Sequence, residues 1–517
     1  MTEPAGAAAI VKAVAAARIV ASPPEDADSG RLNLELAGQV RNDIGNAERL
    51  VARKGADLAF VKDAGWYGWT GTRWSRADGD RLAQIAAQET AIAIFAEANA
   101  MRGAGPRKDA AGNLKETAAD HAERVAGHRK WAAASGKAER LAAMLRCAAP
   151  WLAKGIDEMD AEPFALTVAN GTLELDEKVS FRGHERADWI SRLAPVIYDP
   201  EAAAPRCRQL LDEVLPDPAV RRFVQTWSGY MLTGATVEQC LVLLYGRGQN
   251  GKSKYLEAMR GIMGDYAAAL PSASLLHDDH RRGSEATPDF ARLPAVRFVS
   301  TVEPRKGARL DEGFIKSLTG GDPIMERHLH HDFFEYKPQF KLCLAFNDKP
   351  TIRGQDKGIW RRLILIPFEV EIPDDRKDKH LGDKLRAEYP GILNWALDGF
   401  RLWREGGLAM PERVASATAE YRDDLDQLGP FLAATCEPAA GERVRFKDLY
   451  AAYCGWCHAN AQSPLSASWL GRSLIDRGYP RVKSVDIYYV GLRIVRNYTD
   501  HRTEDEAMAA GADMPPP

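Results

Sequence analysis

Between residues 205 and 425, short apolar runs alternate with longer stretches of helical periodicity. The runs are Cys240–Tyr245, Val296–Thr301, Lys341–Phe346 and Arg362–Phe368. Unbroken apolar segments of this length are what strands covered on both faces of a parallel sheet require. The pattern predicts an α/β unit with its sheet inside and helices outside. Upstream, residues 80–155 carry a 3.6-residue repeat, with Leu82, Ile85 and Ala86 and then Leu141, Met144 and Leu145 on one face each; a mostly helical unit follows. Two hairpin signals flank it. Bulky residues alternate from Gly65 to Trp74 about Thr70-Gly71, and Asn170-Gly171 separates Leu166–Val168 from Leu173–Leu175. Asn-Gly between such runs predicts a type I′ turn.

Past Leu428 the pattern changes again. Phe446–Cys454 and Ser466–Ile475 read as amphipathic helices, and Arg481–Val485 and Tyr488–Ile494 as a strand pair. Helix, helix and β-hairpin in that order predict a winged helix, a variant of the helix-turn-helix. The expected division is a leader over 1–30, a helical and mixed domain over 31–204, the α/β domain over 205–427, the winged helix over 428–496 and a disordered tail over 497–517. The leader ends in the loop-like run Ser22-Pro23-Pro24-Glu25-Asp26 and the tail in three prolines. No internal repeat is found.

Composition narrows the class. Hydrophobic residues at 45% and charged residues at 27% are ordinary for a globular protein. A net charge of −3 means that any contact with DNA must come from local basic surface. The odd set of seven cysteines is scattered, as reduced thiols are. No run approaches the ~20 apolar residues of a membrane span, so a cytoplasmic protein without a membrane partner is expected.

The chemistry begins where Leu241–Tyr245 enters Gly246-Arg247-Gly248-Gln249-Asn250-Gly251-Lys252-Ser253, with a helical stretch from Lys254 to Met263 behind it. This is G-x-x-x-x-G-K-S in its full strand–loop–helix setting. Glycines let the backbone N–H groups turn inward around phosphates, and the helix N-terminus adds partial positive charge. Lys252 is expected on the β- and γ-phosphates of ATP, and Ser253 on Mg²⁺. The run Val296–Thr301 ends two residues before Glu303, where a carboxylate can polarise water and help to hold Mg²⁺; the plainer alternative is a surface glutamate. Lys341–Phe346 delivers Asn347, which can orient water or simply begin a turn.

The ordered set of Gly246–Ser253, Val299–Glu303, Lys316–Pro323, Phe340–Asn347 with Pro350, and Gly358–Arg362 resembles the superfamily 3 helicases. The likeness is to the C-terminal half of phage and plasmid primases and to the related poxvirus NTPases, and it runs over about residues 35–495. It implies an AAA+-like core in a hexameric ring around single-stranded or forked DNA, with 3′→5′ movement. It gives Glu303 the Walker B role, Asn347 the sensor role and Arg361 or Arg362 the part of an arginine finger in the next subunit's site. A guanidinium there would stabilise charge on the transferred phosphoryl group. Lys316 lies on a short helix ahead of a hairpin, whose basic stretch Arg327-His328 is expected to track phosphates; exposed loop polarity is the alternative. In the winged helix, Arg472, Arg481 and Lys483 are candidate phosphate contacts.

Two departures qualify the likeness. Val302 stands where many such strands carry an aspartate before the glutamate, so Glu303 would act as a single carboxylate. No primase motif or zinc ribbon is present, so priming would fall to a separate primase. The Cys454-Gly455-Trp456-Cys457-His458 pattern lies on a packed helix and is not expected to bind haem or zinc. The functional expectation is an ATP-dependent DNA helicase of a phage or plasmid in a bacterial cytoplasm. An origin-binding initiator ATPase that remodels DNA without processive unwinding is the alternative, and a small-molecule kinase lacks an acceptor-site signal.

Overall fold

The computed structural model describes residues 27–62, 64–277, 288–302, 306–327, 333–352, 357–426 and 428–496. The chain divides into two compact units, Met1–Ala161 with Glu185–Ser191, and Glu162–His184 with Arg192–Pro517.

In the first unit the helices Asp43–Lys54, Gly79–Ala104, Ala118–Ser135 and Ala138–Ala148 enclose a core that includes Ala47, Leu50, Ala83, Ala87, Leu141 and Met144. Alanines at the crossing points let the long helix approach its neighbours closely. A small sheet sits beside them in the order β3-β2-β1-β4, from β1 (Leu58–Val61), β2 (Gly65–Trp69), β3 (Trp74–Ser75) and β4 (Ala153–Lys154). Trp69 pairs with Trp74 across β2 and β3, as the alternation about Thr70-Gly71 predicts. Glu97 is wholly buried, yet it accepts hydrogen bonds from Arg49 Nε at 2.9 Å, Arg53 at 3.0 Å and His128 Nε2 at 3.0 Å. Arg49 also donates to the carbonyls of Leu36, Gln39, Val40 and Gly45. One buried ion pair thus ties three helices and a loop together.

The second unit opens with an antiparallel sheet of β5 (Ala165–Val168), β6 (Gly171–Glu174) and β7 (Ser180–Arg182). The hairpin forms, but not with Asn170-Gly171 at its turn. Val168 pairs with Gly171, so Ala169 and Asn170 make the connection, and Gly171 is absent from the residues of positive φ. Asn170 instead clasps the backbone of Tyr198, and a Cβ on Gly171 would lie 2.4 Å from the Arg182 carbonyl oxygen. The glycine serves close packing, not the turn. This sheet is held to the α/β layer by Arg297, which donates to the carbonyls of Ala165 and Glu162, and by Tyr266, whose hydroxyl accepts from Thr167 N. Residues 162–184 thus pack in the same compact unit as the α/β layer.

The central sheet has five parallel strands in the order β14-β8-β13-β10-β9, from β8 (Leu241–Tyr245), β9 (Ala267–Pro271), β10 (Phe298–Val302), β13 (Lys341–Phe346) and β14 (Leu363–Pro367). Four of these are the apolar runs read from the sequence. The fifth, β9, begins Ala-Ala-Ala and lies at one edge with most of its residues partly or fully exposed, so it lacks the apolar run of the other four. Strands β8, β13 and β14 are almost wholly buried. Tyr255 on the helix Lys252–Met263 shares a 2.8 Å hydrogen bond with Ser228 on the helix Pro218–Met231, which places a helix pair over the sheet. An antiparallel pair, β11 (Ile324–Arg327) and β12 (Phe333–Tyr336), projects between β10 and β13 in the chain.

After Leu428 a smaller module has its own core of Leu428, Phe431, Leu449, Tyr453, Trp456, Leu470, Leu474 and Tyr489. It runs through helix Leu428–Thr435, β15 (Cys436–Arg445), helices Phe446–Ala459 and Ala467–Asp476, β16 (Arg481–Lys483) and β17 (Ile487–Ile494). The sheet order is β15-β17-β16, antiparallel throughout. The first strand, β15, was not legible in the sequence. It holds Pro438, Gly441 and an irregular register between Ala439 and Arg443, so its alternation is broken.

Candidate functional site

Strands β14, β8 and β13 lie side by side with Pro367, Tyr245 and Phe346 in register. Their carboxyl ends therefore open at one place, which is where open parallel sheets bind ligands. The Gly246–Ser253 loop leaves β8 at that point and enters the helix Lys252–Met263. Gly251, the residue before the helix, sits at φ 80°, and Gly248 at φ 107°. Both lie in the left-handed region that an L side chain disfavours. Gly246 is required for a different reason: a Cβ there would fall 2.1 Å from both the Phe368 carbonyl oxygen and Asn250 Nδ2.

Lys252 is 5% exposed. Its amine donates to the Gly246 carbonyl at 2.5 Å, to Asn250 Oδ1 at 3.0 Å and to Asn347 Oδ1 at 3.2 Å. The last bond joins two residues that are 95 apart in sequence, and it brings the expected sensor amide onto the expected phosphate-binding lysine. A cavity of about 260 Å³ opens beside them, lined by Gly248 through Lys254 and by Ala345, Phe346 and Asn347. Ser253 is exposed at the helix start. A cation, the backbone N–H groups of a helix terminus and a wall closed by glycines fit a polyphosphate with its bound Mg²⁺.

A second cavity of about 430 Å³ lies on the other side of the loop, lined by Tyr245, Gly246, Arg247, Gly248, Asn250, Phe368, Glu369 and Glu371. The chain after β14 is zipped to the loop: Phe368 N donates to Tyr245 O, Asn250 Nδ2 to Phe368 O and Ile372 N to Gln249 O. The sequence carries no local sign of this wall. It arises only because β14, more than a hundred residues away in the chain, is the neighbour of β8.

The remaining candidates separate. Glu303 and His328 lie outside the described residues, and of Arg327 only the backbone, at the end of β11, is described. Strand β10, which leads to Glu303, pairs with β13 up to Val302 and Ala345. Lys316 sits half-exposed on the helix Glu312–Gly320, capped by Asp311 and ended by Gly321 at φ 83°. Ile315 and Leu318 face the core.

Arg361 and Arg362 behave differently. Arg362 is 9% exposed; its Nε donates to Thr319 Oγ1 at 3.1 Å and one terminal nitrogen to the Gly358 carbonyl at 2.8 Å. Its guanidinium is thus held within its own fold. Arg361 is exposed, and its guanidinium has no partner among the described residues. Arg472, Arg481 and Lys483 are all exposed on the C-terminal module, Arg472 on a helix and the other two on β16.

Burial pushes the thiols of Cys207 and Cys240 up to about 12, which leaves them inert. Among the described residues no cluster of His, Cys, Asp or Glu could hold a metal ion, and no helix is long and apolar enough to cross a membrane. Cys457 is buried in the module's core and Cys454 half-buried, on one helix.

Residues 47–216 match the family described as D5 N terminal like. The chain is 29% identical over 327 residues to "Putative helicase L207/L206" of Acanthamoeba polyphaga mimivirus, covering 58% of this chain and 34% of that protein. It is 28% identical over 270 residues to "Putative helicase 022R" of Frog virus 3, covering 48% and 27%. Against "Putative primase C962R" of African swine fever virus it is 22% identical over 331 residues, covering 59% and 34%. The matches thus span about a third of the length of these relatives.

Proposed function

This chain is a D5-type relative of viral proteins named helicases and primases, in keeping with the superfamily 3 pattern, and on that footing we propose that it is an ATP-dependent DNA helicase. Its motor is an AAA+-like P-loop core over residues 205–427, followed by a winged helix over 428–496. The observation that carries the reading is Lys252: a buried amine resting on Gly246, Asn250 and Asn347 oxygens, at the head of a helix and beside a cavity of about 260 Å³. The strand order, with the loop's strand second from the edge and Asn347 on its neighbour, supports it.

ATP fits with its phosphates inside the Gly246–Ser253 loop. Lys252 exchanges its protein acceptors for phosphate oxygens, and Asn347, released from it, orients the attacking water. Mg²⁺, held by Ser253 and Glu303, would neutralise charge on the phosphate oxygens when bound. Arg361, exposed at the protomer surface, reaches the next subunit's site as the finger, and hydrolysis is thereby coupled to a ring, by analogy a hexamer. By the resemblance, DNA contact in the channel is assigned to Lys316, Arg327 and His328, and phosphate contact on the winged helix to Arg472, Arg481 and Lys483. Phage or plasmid DNA is the setting that the ordered sequence blocks favour, with a separate primase as partner.

The test is strand displacement. Purified protein with ATP and Mg²⁺ separates a forked duplex, and Lys252→Ala abolishes both separation and hydrolysis. Hydrolysis on DNA that never separates the fork would hand the chain to the initiator reading.

A further inference from the structure

The C-terminal module has a sheet face that the helicase reading leaves unused. Residues directly opposite in an antiparallel pair point to the same side. Tyr489 is 2% exposed and its hydroxyl donates to the Gly471 carbonyl at 2.9 Å, so its side of the sheet faces the helices. Tyr488 therefore points the other way. With it go its partners Arg445 and Val482, and Val490 with its partner Arg443.

This outer face combines three features. The Arg443 guanidinium lies over the Tyr488 ring at 4.8 Å. Apolar surface continues to Val482, 41% exposed, and to Val485, 98% exposed at the turn between β16 and β17. The face carries Arg443 and Arg445, the latter paired with Asp486 at 3.3 Å, while Arg493 is paired with Glu437 at 3.2 Å and Glu442 at 3.6 Å, so the cation poised at the ring is Arg443. Residues 428–496 hold nine basic and five acidic side chains, a net of +4 in a chain of net −3.

An aromatic ring under a guanidinium, beside exposed apolar side chains in a module of net positive charge, matches a polyanion that presents flat apolar faces. Single-stranded nucleic acid has both properties; a duplex keeps its base faces stacked inside. We propose that the outer face of the β15-β17-β16 sheet is a stacking platform for single-stranded nucleic acid, centred on Tyr488. A base takes the face of the Tyr488 ring and displaces the Arg443 guanidinium, which then meets the neighbouring phosphate. The proposal rests on reading this module as DNA-binding, but it uses residues apart from the helix that carries Arg472.

The experiment measures binding by the full chain in a Lys252→Ala background, where hydrolysis cannot move the strand. Fluorescence anisotropy follows a labelled oligothymidylate and, separately, a labelled duplex of equal length. Tyr488→Ala weakens single-strand binding about tenfold, within the range that one stacked base contributes, and leaves the duplex unchanged. Tyr488→Phe, which keeps the ring, binds like the parent and guards against a folding artefact. Arg443→Ala lowers the slope of log affinity against log salt by about 0.7, one phosphate's worth for a single strand. Equal single-strand affinity for Tyr488→Ala and parent would overturn the platform, as would equal losses on both DNA forms. A polyglutamate that displaces the oligonucleotide equally from parent and Tyr488→Ala would also overturn it, in favour of an acidic-peptide surface. If no version bound either DNA, the DNA reading of the whole module would fall with it, an outcome distinct from loss of the single strand alone.

Discussion

Replacing Arg361 and Arg362 one at a time should produce opposite phenotypes, although the two are chemically alike and adjacent. Arg362, 9% exposed, donates hydrogen bonds to Thr319 and to Gly358 among the described residues. A hydrogen bond involving a charged group contributes about 1.5–3 kcal/mol net, so Arg362→Ala should cost about 3 kcal/mol or more. The loss would appear as a lower thermal midpoint by circular dichroism. Arg361 is exposed and has no such bonds among the described residues, so Arg361→Ala should melt with the parent. Its effect falls on chemistry instead. A finger supplied by a neighbour is worth about 10³–10⁵ in turnover, and DNA-stimulated hydrolysis should fall by at least the lower figure. Mixing offers a sharper reading. A Lys252→Ala subunit cannot hydrolyse but still carries Arg361, whereas an Arg361→Ala subunit keeps its cradle; each is inactive alone, and together they should recover part of the parent rate. The reasoning is refuted if Arg361→Ala hydrolyses ATP within twofold of the parent, or if the mixture stays as silent as its components.

Other perturbations address the fold around the site. Gly246→Ala places a Cβ against the Phe368 carbonyl and Asn250, so nucleotide affinity, read with a fluorescent ATP analogue, should drop at least tenfold while the melting curve shifts by only a few degrees. Lys341 is buried with its amine on the Thr233 and Gln339 carbonyls and over the Tyr230 ring; burial first, and then the neighbouring Arg297 charge, hold its pKa well below the usual lysine value. The unfolded chain then binds the extra proton, so stability rises with pH between the folded and the unfolded pKa. Lys341→Met should flatten that rise in denaturant titrations between pH 7 and 10. Glu97 titrates in the opposite sense. Burial alone would raise its pKa, but hydrogen bonds from His128 and Arg49 hold it below the ordinary glutamate value. Its contribution is complete above the unfolded pKa and is lost as pH falls through the folded one. Glu97→Gln, which strands the buried Arg49, should cost about 3–5 kcal/mol at pH 7, and the difference from the parent should shrink in acid melts.

Local sequence determined the parts that depend on neighbours along the chain. Four apolar runs became four central strands, because a strand covered on both faces must be apolar throughout. The Gly246–Ser253 loop took its shape from glycines whose backbone conformations few other residues adopt. Tertiary structure decided the rest. It placed β14 beside β8, so that Phe368–Ile372 became a wall of the loop, and it brought Asn347 to the amine of Lys252. It moved the Asn170-Gly171 turn by one residue, because Tyr198 claimed the asparagine and the third strand left no room above the glycine. It separated two consecutive arginines into a buried tie and an exposed candidate finger, and put Tyr488 and Tyr489 on opposite faces of one sheet. Adjacency between strands and burial arise when distant segments meet, so no window of the sequence contains them.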